Sequence, residues 1–223
     1  YFVKILLFVS LLGKKNRLIL QNPDDSNLVQ NLRIIDKNNI RIIKGAGVEV
    51  NKFYPKDFPN GLPIVILPGR LLWDKGLQEF VECAEIIKKK GYKARFVIVG
   101  QFDTENPEAI SKKTIRTWEE KKIIEYWGHK NDMHKIYLIS SIVCFPSYRE
   151  GLPKVLLEAA SCGRPIVAFD VPGSREIVKH NINGLLVPFK NVKLLEKSIL
   201  KLIKNKNICK KLGKNGRKIV EKN

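Results

Sequence analysis

The feature that most constrains the fold is a regular alternation of short apolar runs with helical stretches between residues 64 and 187. Each run is rich in Ile, Val, Leu or Phe, and Gly, Pro or polar residues follow it. Strands of this kind, separated by helices, predict βαβ units in a parallel, doubly wound α/β sheet that is covered on both faces. The six predicted strands are 64–67, 95–100, 123–128, 142–146, 165–168 and 184–187.

Helical periodicity fills the intervals between these strands. Asp132 is the expected N-cap of one helix, Pro153 is expected in the first turn of another, and Ser174 begins a small one. The predicted helices are 78–90, 107–122, 133–138, 153–162, a short helix from Ser174, and two basic helices over 192–204 and 208–222.

The part of the chain before the alternation is organised differently. It predicts a helix over 1–12, strands at 17–20 and 40–43, and a helix through Leu32 after a turn at 22–26. Residues 46–61 are rich in Pro and polar residues without helical period, which is typical of a linker. We therefore predict two units, residues 1–45 and residues 62–223, joined by 46–61.

Four polar or glycine positions directly follow predicted strands: Arg70, Gly100, Gly128 and Glu150. The carboxyl ends of parallel strands meet at one edge of the sheet, and ligands of doubly wound sheets bind beyond that edge. These positions are therefore the first candidates for a binding site.

A second carboxylate, Glu158, follows Glu150 by eight positions, inside the apolar helix that begins near Pro153. An unpaired charge among these apolar residues is costly to bury, so Glu158 needs a partner, and ligand hydroxyls are suitable ones. The start of this helix offers free backbone N–H groups to an anion such as phosphate. The candidate binding residues here are Gly151, Leu152, Pro153, Lys154 and Val155.

Two cations lie in the loop after the first strand of the sheet. Arg70, preceded by Gly69, can bind two phosphate oxygens at once, and Lys75 can act as a point charge beside them. Alternatively, Asp74 pairs with Lys75 and Arg70 only ends the strand. Together with Glu150 and Glu158, however, these cations describe one ligand that is anionic in its middle and carries hydroxyls at its ends. A nucleotide sugar has this form.

The net charge of +19 is large for 223 residues and favours polyanionic partners, although many lysines could simply solvate helix faces. The four cysteines show no metal-ligand spacing and are typical of a reduced cytosolic protein. We expect no metal and no cofactor.

Several segments resemble the retaining glycosyltransferases of the GT-B fold that are called family 4. The resemblance covers residues 22–190, and its most specific part is the E-x7-E motif formed by Glu150 and Glu158. The segments that carry it are Arg70 with Lys75-Gly76, Pro-Ser-Tyr-Arg-Glu-Gly-Leu-Pro at 146–153, Leu-Glu-Ala at 157–159, Gly-Arg-Pro-Ile-Val at 163–167 and Pro-Gly-Ser-Arg-Glu-Ile-Val at 172–178.

This resemblance implies roles for the candidate residues. Glu150 would contact the hydroxyls of the donor sugar, Glu158 would bind the ribose, and Arg70 and Lys75 would neutralise the diphosphate as the sugar departs. The backbone of Gly128 and His129 would face the base.

The resemblance also implies a reaction. It is metal-independent, retains the anomeric configuration, and uses the leaving phosphate to help take the acceptor's proton. The donor would be a UDP-sugar. The acceptor would be a polyprenyl-linked or oligosaccharide precursor of capsule, O-antigen or N-glycan, at the inner face of the cell membrane.

The chain lacks an initial methionine, and residues 1–45 resemble only the closing segments of the family's acceptor domain. We therefore expect a donor-binding half that holds nucleotide and transfers little sugar. Two other functions stay open: a nucleotide-sugar epimerase of the same architecture, and a basic nucleic-acid-binding module. The preserved Glu-Gly-Leu-Pro sequence disfavours the first, and the lack of a basic motif interleaved with aromatic residues disfavours the second, so we expect no nucleic acid as partner.

Overall fold

The computed structural model describes residues 2–11 and 16–222, without the side chains of residues 2–4. Both ends of the helix predicted over 1–12 lie outside the described residues. Residues 12–15 and Asn223, which belong to the two predicted units, lie outside them as well.

A six-stranded parallel sheet forms the centre of the molecule. Its spatial order is β5-β4-β3-β6-β7-β8, so the order reverses between β3 and β6, as it does in doubly wound folds. The prediction of a doubly wound α/β sheet is confirmed. The strands are β3 (Ile64–Pro68), β4 (Arg95–Val99), β5 (Glu125–Tyr126), β6 (Ile142–Phe145), β7 (Ile166–Phe169) and β8 (Gly184–Val187).

Nine α-helices lie within the described residues, and those between the strands cover both faces of the sheet. Among the helices of residues 2–11 and 16–222, none has both the length and the apolar character needed to cross a bilayer. The helices are α1 (Phe2–Ser10), α2 (Pro23–Asn31), α3 (Leu77–Lys89), α4 (Lys112–Glu120), α5 (Met133–Ile139), α6 (Lys154–Ser161), α7 (Ser174–Ile177), α8 (Val192–Lys204) and α9 (Lys206–Lys222).

Successive residues of each strand point to opposite faces, which divides the core into two layers. On β3, for example, Val65 and Leu67 pack towards α3 and α8, whereas Ile66 packs towards α5 and α6. All three side chains are fully buried. Burial on both faces explains why these strands read as continuous apolar runs.

Before the sheet, β1 (Leu18–Leu20) and β2 (Ile40–Ile42) form a parallel pair beside α2. Asn22 caps α2 by accepting a hydrogen bond from Asp25 N at 2.8 Å, as the turn at 22–26 predicted. Residues 16–42 thus contain a small α/β arrangement of two parallel strands and one helix.

Residues 46–61 contain no helix or strand, and they pack closely on the sheet domain. Phe53 is buried in the core, and its carbonyl accepts hydrogen bonds from Ser161 Oγ at 2.6 Å and Arg217 Nη1 at 2.8 Å. The segment is thus fixed to the sheet domain from Val50 onward, since Arg217 also donates to the carbonyl of Val50.

Several predicted boundaries were wrong. The helix expected from 107 begins at Lys112, because Ser111 caps it and the preceding residues pair with the loop after β3 through a bridge between Leu72 and Ala109. The strand expected over 123–128 contracts to Glu125–Tyr126. Pro153 is the N-cap of α6 in an extended conformation, and not a residue of its first turn.

Candidate functional site

The two predicted ligand loops meet at the point where the strand order reverses. The loop after β3 carries Gly69, Arg70 and Lys75, and the loop after β6 carries Glu150 and leads into α6. β3 and β6 are hydrogen-bonded neighbours, so both loops border the crevice in which doubly wound sheets bind ligands.

Glycine backbones form the floor of this crevice. A Cβ on Gly100 would lie 1.7 Å from the carbonyl oxygen of Gly69, so only glycine permits this approach of the loops after β3 and β4. Gly100 N in turn donates to the carbonyl of Gly128 at 3.0 Å, which places Gly128 beside them. The loops after β3, β4 and β5 therefore adjoin one another at Gly69, Gly100 and Gly128.

A cleft of about 190 Å³ opens above this floor. Five of the candidate residues line it: Gly69, Arg70, Gly100, His129 and Val155. Arg70 is half exposed and pairs with Asp103 across 2.8 Å. An exposed ion pair stabilises by only about 0–1 kcal/mol, so an anionic ligand can replace Asp103 as the partner of the guanidinium.

The position of Lys75 is set by a close backbone contact between the loops after β3 and β6. The next residue, Gly76, has φ +72°, and a Cβ there would lie 2.0 Å from the carbonyl oxygen of Pro146. This approach draws the loop after β3 against the loop after β6. As a result, Lys75 Nζ lies 2.8 Å from Glu150 Oε1 and 3.9 Å from Asp74.

Glu150 is held in place by two donors. Its Oε1 accepts hydrogen bonds from Lys75 Nζ and, at 2.7 Å, from the hydroxyl of the fully buried Ser147. The side chain of Glu150 is 18% exposed and that of Lys75 is 13% exposed, so the ion pair is largely shielded from water. Lys75 therefore pairs closely with Glu150 and more distantly with Asp74, so the pairing of Asp74 with Lys75 that the sequence left open is present as well.

Glu158 is buried on α6, one turn beyond Val155, on the same face of the helix. Burial raises the pKa of its carboxyl group above the ordinary value, while a hydrogen bond from Tyr137 and the charges of Lys154 and Lys52 act in the opposite direction. The protein itself thus supplies part of the hydrogen bonding that the buried Glu158 carboxylate needs. The Tyr137 hydroxyl donates to Glu158 Oε2 at 3.2 Å.

The remaining predicted residues of the α6 start have different surroundings. Asn22 donates to the carbonyl of Gly151 at 2.9 Å, and Leu152 packs against Gly45, so both adjoin the unit before the sheet. The side chain of Lys154 is 68% exposed, and its Nζ lies 3.9 Å from Glu158. The backbone N–H of Lys154 nevertheless belongs to the first turn of α6, where the helix dipole favours an anion.

The sequence prediction missed three side chains that shape the site: Tyr137, Ser147 and Asp103. Ser147 stands three residues before Glu150, a spacing that suits a loop hydrogen bond, so its role could have been proposed. Tyr137 and Asp103 are far from their partners in sequence, and nothing in the local pattern indicates those contacts.

The arrangement combines two carboxylates, two cations and a helix start at one edge of a parallel sheet. Within the described residues, no group of three or more His, Cys, Asp or Glu side chains could hold a metal ion. The four cysteines are buried and unpaired. Cations of this kind suit phosphates, and carboxylates suit hydroxyls.

Comparison with known proteins defines the family. The chain belongs to the glycosyl transferases group 1, whose family model matches residues 51–219. The family resemblance predicted from the motifs around Glu150 and Glu158 is confirmed at this level, and the family's glycosyltransferases are favoured over the epimerase alternative.

Two curated relatives illustrate the similarity. An N,N'-diacetylbacillosaminyl-diphospho-undecaprenol alpha-1,3-N-acetylgalactosaminyltransferase of Campylobacter jejuni is 32% identical over 213 residues, covering 90% of this chain and 54% of the relative. The capsular polysaccharide biosynthesis glycosyltransferase CapM of Staphylococcus aureus is 27% identical over 209 residues, covering 93% of this chain and 54% of CapM. The chain thus spans about half the length of these relatives.

A solved structure shows the same fold. HepE of Anabaena in complex with UDP superposes with a TM-score of 0.85 at 18% identity, over 100% of this chain and 64% of HepE. The predicted Rossmann-like architecture of GT-B type is thereby confirmed.

Proposed function

We propose that this chain supplies the nucleotide-sugar-binding half of a retaining, metal-independent glycosyltransferase. The enzyme would transfer a hexosyl or N-acetylhexosaminyl group from a UDP-sugar to a lipid-linked or polysaccharide acceptor. The observation that carries the proposal is the contact between Lys75 and Glu150, which joins the loops after β3 and β6 where the strand order reverses, beside the start of α6. The proposed site would offer cations to a diphosphate and carboxylates to hydroxyls at one edge of the sheet.

Lys75 is suited to a double role. Its ammonium group has three N–H donors, so it can keep its bond to Glu150 while it donates to a phosphate. We propose that Lys75 and Arg70 stabilise the negative charge that grows on the diphosphate as the sugar departs. Glu150, held by Lys75 and Ser147, would then accept hydrogen bonds from the hydroxyls of the donor sugar.

The nucleoside would lie along α6 and the cleft. Glu158 would accept hydrogen bonds from the ribose, and the backbone near Gly128 and His129 would contact the base. The cleft residues Gly69, Arg70 and Val155 would border the same nucleotide. UDP is the proposed carrier because the HepE structure named above contains UDP.

The acceptor is proposed from the relatives. The Campylobacter jejuni protein is named for transfer to a diphospho-undecaprenol-linked sugar, and CapM for capsular polysaccharide biosynthesis. A net charge of +19 would draw such an enzyme to the anionic inner face of the cell membrane, where a polyprenyl-linked acceptor lies.

Calorimetric titration of the protein with UDP-, GDP- and ADP-sugars tests the proposal. We expect preference for the UDP compounds, and we expect Glu158→Ala to weaken their binding by at least about 1 kcal/mol through lost hydrogen bonds. Glu85→Ala serves as a control, because Glu85 lies on α3 in an exposed pair with Lys89. Equal affinity of wild type and Glu158→Ala for every nucleotide would contradict the proposed site.

A further inference from the structure

A buried tyrosine lies behind the helix that borders the cleft. Tyr137 on α5 is fully buried, and its hydroxyl lies 3.2 Å from Glu158 Oε2 and 3.2 Å from the carbonyl oxygen of Val155. Both partners belong to α6, and Val155 lines the cleft. One hydroxyl therefore joins α5 to the segment of α6 that carries the acid.

The two carboxylate oxygens of Glu158 have different surroundings. Oε2 is occupied by Tyr137, whereas Oε1 has Lys154 Nζ at 3.9 Å, which is beyond hydrogen-bond distance. A carboxylate held at one oxygen keeps a fixed rotamer and directs its other oxygen. Fixing the rotamer in advance lowers the entropy lost when a ligand binds.

A hydroxyl carries one hydrogen, so Tyr137 can donate fully to only one of its two acceptors. A charged acceptor forms the stronger bond, so the hydrogen turns towards Glu158 when that group is ionised. When Glu158 is protonated, the carbonyl of Val155 becomes the better acceptor. The bond to Tyr137 thus favours the ionised carboxylate, whose other oxygen, Oε1, can then only accept hydrogen bonds.

We propose that Tyr137 is a positioning residue for nucleotide binding, which orients Glu158 and keeps its carboxyl group ionised. This inference rests on the proposed function, since it assigns the ligand of Glu158 as a nucleotide. Tyr137 acts through Glu158 and does not itself contact the ligand.

The electrostatic surroundings of Glu158 are consistent with this role. In the described part of the chain, the charged and titratable groups around it are Lys154 on its own helix, Lys52 in the segment 46–61, Tyr137 on α5 and Cys162 at the end of α6. Burial raises the pKa of Glu158, and Tyr137 opposes that rise. Burial and the nearby carboxylate raise the pKa of Tyr137 well above its ordinary value, so the hydroxyl keeps its hydrogen at neutral pH.

The test is the affinity for UDP as a function of pH, measured by calorimetry for wild type, Tyr137→Phe, Glu158→Gln and the double variant. We expect Tyr137→Phe to weaken UDP binding at neutral pH about fivefold, the factor that corresponds to about 1 kcal/mol for one hydrogen bond. When the pH is lowered, UDP binding falls, and we call this part of the affinity profile the acid limb. We also expect the acid limb of Tyr137→Phe to lie at higher pH than that of wild type. In the Glu158→Gln background, which has no titrating carboxylate, Tyr137→Phe should leave both the affinity and the profile unchanged.

A purely structural role predicts something else: the same loss in both backgrounds and no movement of the acid limb. That result would overturn the inference while leaving the nucleotide site intact. If Glu158→Gln binds UDP as tightly as wild type does, the proposed role of Glu158 fails, and the inference fails with it. Tyr92→Phe is the control, because Tyr92 packs on the opposite face of the sheet.

A second substitution covers the case in which Tyr137→Phe does not fold. Incorporation of 3-fluorotyrosine at position 137 keeps the shape of the side chain and makes its hydroxyl a stronger donor. We expect the acid limb to move to lower pH, opposite to its movement in Tyr137→Phe. An unchanged acid limb would contradict the inference.

Discussion

Replacement of Lys75 by methionine separates the electrostatic role of this side chain from its packing. Methionine keeps an unbranched apolar chain but removes the ammonium group that lies 2.8 Å from Glu150 Oε1. At that distance, with an effective dielectric constant of about 20, the gross attraction of the pair is about 6 kcal/mol. Most of this is offset by the desolvation of the two charges.

The net effect on folding is therefore much smaller. Glu150 keeps the hydrogen bond from Ser147 at 2.7 Å and remains partly in contact with water. We expect Lys75→Met to lower the free energy of unfolding by about 1–3 kcal/mol, the cost of leaving a shielded polar group without its partner.

The effect on binding is specific to the phosphates. A hydrogen bond to a charged group contributes about 1.5–3 kcal/mol, so the dissociation constant of UDP should rise about 10- to 150-fold. Uridine lacks the phosphates, so its dissociation constant should stay within about twofold of the wild-type value, a change of less than about 0.5 kcal/mol.

Isothermal titration calorimetry with UDP and uridine measures both constants, and Lys89→Met is the matched control. Lys89 lies on α3 with its side chain 79% exposed and pairs with Glu85 at 3.8 Å. An equal loss for UDP and uridine would show that the substitution distorts the site. An unchanged UDP affinity would refute the assignment of Lys75 to the phosphates.

Three further predictions follow from the same geometry. Gly76→Ala should lower the free energy of unfolding, measured by urea denaturation, by more than about 2 kcal/mol, because the new Cβ would meet the carbonyl of Pro146. The control is Gly47→Ala, which has a similar φ but open space around it and should lose only about 1 kcal/mol through backbone strain. Similar losses for both variants would contradict this account. Lowering the pH through the raised pKa of Glu158 should protonate its carboxylate and weaken UDP binding. Protonation also removes the cost of burying the charge, so this group should destabilise the fold less at low pH. A UDP affinity that calorimetry finds unchanged with pH would contradict the role of Glu158. The protein should co-sediment with anionic lipid vesicles at low salt and separate from them as salt rises; absence of binding at every salt concentration would contradict membrane association.

The fold was largely predictable because strand burial leaves a strong signal. In β3 and β6 almost every side chain is fully buried, so these strands read as unbroken apolar runs with sharp ends. The boundaries that were wrong lie where tertiary contacts decide the conformation. The residues before Lys112 have helical composition but pair with the loop after β3, which no local pattern indicates.

The places of the candidate residues in the fold were predictable, but their contacts were not. The strand-end positions of Arg70 and Glu150 indicated their common edge, because topology alone brings strand ends together. That Lys75, rather than Arg70, contacts Glu150 depends on the close approach of Gly76 to Pro146, which is a property of the folded chain. The contact of the Tyr137 hydroxyl with Glu158 could not be predicted either, because 21 positions separate the two residues in the sequence.

The most direct measurement is a crystal structure of the protein with UDP bound. This account predicts a diphosphate within hydrogen-bond distance of Arg70 and Lys75, with the ribose hydroxyls at Glu158. A nucleotide bound at the opposite end of the strands, or one that leaves Lys75 and Glu158 without contact, would contradict it.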